Sequence, residues 1–221
     1  MKLFKKIALR LLLAFGLLVV VLIANLMIFN ITASKVSEGV AIENRDPERV
    51  ALLVIDIQEG TTGIASVTNG YIRQSETLIS QVNRLVADAA ENGWILIWVR
   101  SEVTNPLINI LNSSMAKGST GAELDERLHT SSGQVVVKKK NDSFIDTPLD
   151  AILEENRIGS LVVAGLDAEH CVLTSIQAAA NRGYHITVFE GSIIAEDDAL
   201  MPEIFNTYRE LGVEVQTMNM P

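Results

Sequence analysis

The stretch that most constrains this chain is Leu161–Ala180, LVVAGLDAEHCVLTSIQAAA. The apolar run from Leu161 to Ala164 reads as a buried strand, and Gly165 opens a turn. A helix carrying Val172, Leu173, Ile176, Ala179 and Ala180 then begins at Cys171. The only cysteine of the chain thus falls at the bend of a strand, elbow and helix. Free N–H groups and the positive dipole end of a first helical turn favour the thiolate, which is the nucleophilic form. A lone cysteine is also commonly a small buried hydrophobe, so its role depends on partners supplied from elsewhere.

The flanking sequence repeats the strand and helix pattern. Val50–Ile57 (VALLVIDI) is a continuous apolar run, as expected of a strand covered on both faces in a parallel sheet. Further strands are predicted at Trp94–Val99, Gln134–Val137, Tyr184–Phe189 and Val213–Thr217. Between them, Ile72, Leu78, Ile79, Val82, Leu85, Val86 and Ala89 follow helical spacing, closed by Asn92-Gly93 as a C-cap. A helix over Pro148–Asn156 is capped by Thr147, another covers Ala195–Leu211, and a short acidic helix is expected around Glu123–Leu128. Leu107–Leu111 reads as an apolar turn. Six short strands alternating with helices predict an α/β domain, a doubly wound six-stranded parallel sheet with helices on both faces. Ligands bind such sheets at the carboxyl ends of the strands, where Asp56, Lys138 and Cys171 fall.

A different kind of segment precedes this domain. Leu11–Phe29 is nineteen residues without a charge and with a single amide, Asn25, after Lys2, Lys5, Lys6 and Arg10. At 1.5 Å per residue it covers about 28 Å, close to the hydrocarbon thickness of a bilayer. We expect a signal anchor or transmembrane segment over residues 1–33, a polar linker over 34–48 and the folded domain over 49–221. The cationic N-terminus is expected in the cytoplasm and the domain outside it, single-pass, with secretion after signal cleavage as the alternative. Residues 40–221 hold 13 basic and 26 acidic side chains, a balance that argues against nucleic acid and gives no net pull toward an anionic surface. One cysteine allows no intramolecular disulfide.

The segments VALLVIDIQ, VVVKKKNDSFIDTPLD and LVVAGLDAEHCVLTSIQAAANRGY, linked by KGSTGAELDERL, resemble the signature blocks of the isochorismatase-like cysteine hydrolase superfamily. That superfamily includes nicotinamidases and N-carbamoylsarcosine amidohydrolases, and the resemblance covers residues 49–218. It implies a catalytic triad of Asp56 as acid and base, Lys138 as the cation beside it and Cys171 as nucleophile. It also implies an oxyanion site formed by the main-chain N–H groups of Asp167 and Cys171, with a cis bond at Leu166-Asp167. The implied reaction is cleavage of a small amide, ureido or carbamoyl C–N bond through a Cys thioester. Gln58 and Phe144 are candidate substrate-binding residues, although each could equally be a packing residue.

Departures from the family pattern shape these expectations. No histidine precedes His129, so the metal set of nicotinamidases is missing; neither metal nor cofactor is expected. Glu59-Gly60-Thr61-Thr62 stands where an aromatic platform often follows D-x-Q, and Asp167 replaces a usually small apolar residue. His170 is adjacent to Cys171, and neighbours one apart on a helix do not face each other, which argues against a Cys-His dyad. His129 and His185 read as surface residues. The alternatives are a vinyl-ether hydrolase of the isochorismatase type and a non-enzymatic membrane-anchored binding module. Expected partners are a small-molecule substrate, the membrane through the N-terminal helix and, by analogy with relatives, a second copy of the chain.

Overall fold

The structure, a computed structural model, describes residues 2–41 and 46–217. Six parallel strands form its centre: β1 (Asp46–Ile55), β2 (Ile95–Ser101), β3 (Gln134–Lys138), β4 (Ile158–Gly165), β5 (His185–Ile193) and β6 (Glu214–Thr217). Their spatial order is β3-β2-β1-β4-β5-β6, so the chain builds outward from β1 in one direction and then returns to build in the other. The helices are α1 (Lys2–Ala33), α2 (Asn69–Asn92), α3 (Pro106–Leu111), α4 (Leu149–Glu155), α5 (Cys171–Asn181) and α6 (Met201–Glu210).

Alternation along the continuous apolar strands fills both faces of the sheet. Leu53, Ile55 and Val163 point into a core shared with Val172 and Ile176 of α5 and Tyr208 of α6. Leu52, Val54 and Val162 point the other way, onto Leu78, Val82 and Leu85 of α2. Burying side chains of this size contributes about 1.5–3 kcal/mol each. The register aligns the carboxyl ends of the central strands: Ile55 pairs with both Val99 and Gly165, and Ser101 pairs with Lys138. Gly165 has φ +123, and a Cβ there would strike the Ile55 carbonyl, so only glycine lets β4 close against β1 at this edge.

Several expected elements shift. β1 begins at Asp46, whose N–H donates to Arg157 O at 3.1 Å, and so takes in residues 46–48 of the expected linker. Residues 123–128 are not a helix. Their backbone is drawn across the end of β1 by Glu59 N–H to Glu123 O (3.0 Å) and Asp125 N–H to Ile57 O (3.1 Å). The apolar turn at Leu107–Leu111 is the helix α3, capped by Asn105, whose Oδ1 accepts from Leu107 and Ile108 N–H. The last helix starts at Met201 rather than Ala195, because Glu196 N–H is turned onto Asp167 Oδ2 (2.9 Å) and Asp197 caps a separate short turn. Ile72 lies on the exposed side of α2 despite its place in the apolar spacing, whereas Leu78, Ile79, Val82, Leu85, Val86 and Ala89 are buried.

Residues Phe4–Ala33 of α1 form one helix long and apolar enough to cross a membrane, with mean hydropathy 2.9. The chain leaving it is laced to the domain. Asn141 N–H donates to Ala33 O (3.0 Å), Ser37 N–H donates to Asp142 Oδ2 (2.8 Å), and Arg182 Nη1 donates to Ser37 Oγ (3.0 Å).

Candidate active site

The carboxyl edge of the sheet gathers Asp56, Lys138 and Cys171, which are separated by at least 33 residues in the chain. Asp56 is the first residue past β1. It has φ +56, a left-handed conformation that aspartate tolerates better than most residues. Its N–H donates to Val99 O (2.8 Å), while Thr61 Oγ donates to Asp56 O (2.7 Å) and accepts from Gln58 N–H (3.0 Å). The Gly-Thr-Thr-Gly turn therefore aims the carboxylate back over the sheet.

Lys138, the last residue of β3, is fully covered. Its Nζ lies 2.7 Å from Asp56 Oδ2 and 3.2 Å from Cys171 Sγ. It also donates to Ser101 Oγ (2.8 Å) and Lys140 O (3.1 Å). Three N–H bonds are thus shared among four acceptors. Lys139 remains exposed and Lys140 partly so. Ser101 Oγ passes the chain of bonds on by donating to Asp56 Oδ1 (2.9 Å).

Charge and burial act together on these groups. Burial works against the Lys138 ammonium, but the Asp56 carboxylate and the Cys171 sulfur outweigh it, so the lysine holds its proton more tightly than a free one. Burial and the neighbouring Asp56 charge push the Cys171 thiol up to about 12, with Lys138 opposing them. At rest the site holds a carboxylate and ammonium pair beside a neutral thiol. Cys171 Sγ also lies 3.7 Å from Asn141 Oδ1.

At the elbow the bond between Leu166 and Asp167 is cis. Among the described residues, no hydrogen bond engages the main-chain N–H of Asp167 or of Cys171. The Asp167 side chain faces inward and is fully occupied. Oδ1 accepts from Glu169 N–H (2.8 Å) and meets His170 Nδ1 (2.9 Å); Oδ2 accepts from Tyr71 Oη (3.0 Å) and Glu196 N–H. His170 turns to Asp167 and outward, away from the thiol, and its side chain is 67% exposed. His129 and His185 are exposed.

Gln58 and Phe144 are both buried. Gln58 is fully buried: Nε2 donates to Ser101 O (3.0 Å) and Ala122 O (2.7 Å), and Oε1 accepts from Ser101 N–H (2.8 Å). Its amide therefore holds Ser101 rather than a ligand. Phe144 is a core residue, with the Arg182 guanidinium 4.1 Å above its ring and Tyr184 stacked at 6.4 Å. Glu59, in place of an aromatic, accepts from Ile64 and Glu126 N–H and ties the loop down (2.8 Å each).

Three site residues were not anticipated from the sequence. Ser101 ends β2 and Asn141 lies just past β3, so both could have been found by the rule that singled out Asp56 and Lys138. Tyr71, the half-buried aromatic whose hydroxyl reaches Asp167, lies in the first turn of α2 and carries no such signal. Burial and the Asp167 charge raise its phenol well above the usual tyrosine range. Among the described residues, no three His, Cys, Asp or Glu side chains converge as a metal-binding set.

Comparison with known proteins agrees with this architecture. The family model for the isochorismatase domain matches residues 50–219. The N-carbamoylsarcosine amidase of Thermoplasma acidophilum superposes with a TM-score of 0.66 at 26% identity, covering 78% of this chain and 98% of that one. The ureidoacrylate amidohydrolase of Klebsiella pneumoniae is 25% identical over 178 residues, 68% of this chain and 73% of that protein. A probable inactive nicotinamidase of Arabidopsis thaliana is 25% identical over 191 residues, 76% of this chain and 92% of that protein. With the family model matched across almost the whole of the sheet domain, the chain belongs to the isochorismatase family.

Proposed function

We propose that this protein is a cysteine hydrolase that cleaves the C–N bond of a small amide, ureido or carbamoyl compound. The observation that carries the reading is the position of Lys138 Nζ, 2.7 Å from Asp56 Oδ2 and 3.2 Å from Cys171 Sγ. Relatives bearing amidase and amidohydrolase names support the bond type.

In this mechanism the Asp56 carboxylate takes the thiol proton as Cys171 Sγ attacks the carbonyl carbon. The thiol is high at rest, so the proton leaves during attack rather than before it, and Lys138 stabilises the sulfur anion as it forms. The carbonyl oxygen, now an anion, is received by the free N–H groups of Asp167 and Cys171. Asp56 returns the proton to the departing nitrogen, leaving a thioester. Water, deprotonated by Asp56, then attacks the thioester, releasing the acid and restoring the thiol. α1 holds the domain at the membrane in this reading, with the lysine-rich N-terminus cytoplasmic and the hydrolase domain on the far side.

The test is hydrolysis of a panel of small amides, ureides and carbamoyl compounds by wild type, Cys171→Ala and Asp56→Asn. Loss of turnover in both variants is expected. Turnover of a vinyl ether, added to the panel, that survives in Cys171→Ala but not in Asp56→Asn would replace this reading with a vinyl-ether type of chemistry. No turnover of any substrate by wild type would leave a binding module.

A further inference from the structure

Asn25 is the one amide in the apolar run of α1, and the structure gives it a partner outside the helix. Asn105 Nδ2 donates to Asn25 Oδ1 at 3.1 Å. Asn105 is also the N-cap of α3, where its Oδ1 accepts from Leu107 and Ile108 N–H. Asn25 lies four residues inside the end of the run at Phe29, about 6 Å along the axis. An amide at that depth is disfavoured unless it is hydrogen-bonded, and here the bond comes from a loop of the sheet domain.

That loop brings apolar side chains with it. Pro106 and Ile110 are exposed, Ile110 at 78%, and Leu107 and Ile108 are only partly covered. Of the described elements, α3 packs most against α1. Between it and α1 lies a cavity of about 470 Å³, with Ile28 and Phe29 on one wall, Val103 and Pro106 opposite, and Lys139 and Lys140 at the rim beside Asp146. Cations above an apolar wall match the order of layers at a bilayer surface, headgroup over acyl chain.

We propose that α3 is a second membrane contact: it inserts its Pro106–Ile110 face into the lipid interface alongside α1, with Lys139 and Lys140 at headgroup level. This rests on the reading of α1 as a membrane helix. The occupant is lipid rather than a protein partner because α1, to which α3 is bonded, presents an exposed apolar surface all round over residues 11–21. The strong net acidity of the domain does not oppose the contact, which is local and mainly apolar. One consequence concerns access. Asn141 donates to Ala33 O at the end of α1 and reaches Cys171 Sγ with its side chain, so the nucleophile lies one side chain from the membrane helix.

The experiment uses the full chain in phosphatidylcholine and phosphatidylglycerol vesicles. In a Cys171→Ala background, nitroxide labels are placed by Ile110→Cys, Leu18→Cys or Glu210→Cys, three exposed positions whose replacement leaves the core untouched. Collision with oxygen is compared with collision with a water-soluble nickel chelate. The expected result is a label at 110 that, like that at 18, is quenched several-fold more by oxygen, while the label at 210 is quenched more by nickel. A lipidic label at 18 with an aqueous label at 110 overturns the proposal and leaves the membrane helix standing. Aqueous labels at both positions overturn both.

Discussion

Two buried cations of this domain, Lys138 and Arg182, are paired in opposite ways. Lys138 and Asp56 are both withdrawn from water, their side chains 0% and 6% exposed, and beside Ser101 Oγ and the Lys140 carbonyl the ammonium also meets a thiol. Arg182 is equally covered, but its carboxylate partner Asp150 is 50% exposed, and its other contacts are the carbonyl of Ala178, Ser37 and the Phe144 ring. The second arrangement fastens the segment after α1 to α4 and α5 with bonds whose charges water can share. The first concentrates charge where no water relieves it, which is of little use for stability and of much use for chemistry.

The difference can be broken experimentally, and the largest effect is expected at Lys138. Lys138→Met leaves Asp56 buried without its cation, so unfolding in urea should show a loss of about 3–5 kcal/mol together with loss of hydrolysis. Next comes the reactivity of the thiol. Asp56→Asn removes a charge that raises the Cys171 pKa and leaves Lys138 to lower it, so alkylation by iodoacetamide at neutral pH should speed up as hydrolysis fails. Each unit by which the thiol falls from about 12 is a tenfold gain in thiolate. Unchanged alkylation would mean that the carboxylate does not govern the sulfur.

The same shift has a sign in stability. A folded thiol at about 12 against about 8.5 in the unfolded chain binds its proton more tightly when folded. Its contribution is complete below about pH 8.5 and is lost as pH rises toward 12. The urea midpoint of wild type should therefore fall more steeply above about pH 8.5 than that of Cys171→Ala. Parallel curves would contradict the raised thiol. Smaller effects come from the supports. Gln58→Ala strips Ser101 of both backbone bonds to that amide and should cost about 1–3 kcal/mol. Asp150→Asn, on the exposed side of the structural pair, should cost at most about 1 kcal/mol and leave turnover intact.

What could be read in the sequence follows the same division. The strands were legible because burial on both faces writes them as unbroken apolar runs, and the elbow at Gly165 was legible because it is bounded by a strand and a helix. The ends of β1 and β3 therefore gave Asp56 and Lys138. The helix expected at Glu123–Leu128 was misread because the acids there are spent on specific partners: Asp125 on Arg127 and Thr62, and the Glu123 carbonyl on the turn after β1. Periodicity does not register such bonds. For the same reason Gln58 and Phe144 could not be sorted in advance between pocket and packing. Tyr71 was missed because its hydroxyl meets Asp167 across 96 residues of sequence. α3 was too short for its pattern to be told from a turn, and its cap at Asn105 carried the decisive information.

The most direct test of the account is the mass of the enzyme quenched in acid during turnover of an amide substrate, followed by mapping of the modified peptide. The account predicts an acyl group on Cys171 in wild type and none in Cys171→Ala, with turnover abolished in the latter. Sustained turnover with Cys171 unmodified throughout, and undiminished in Cys171→Ala, would contradict it.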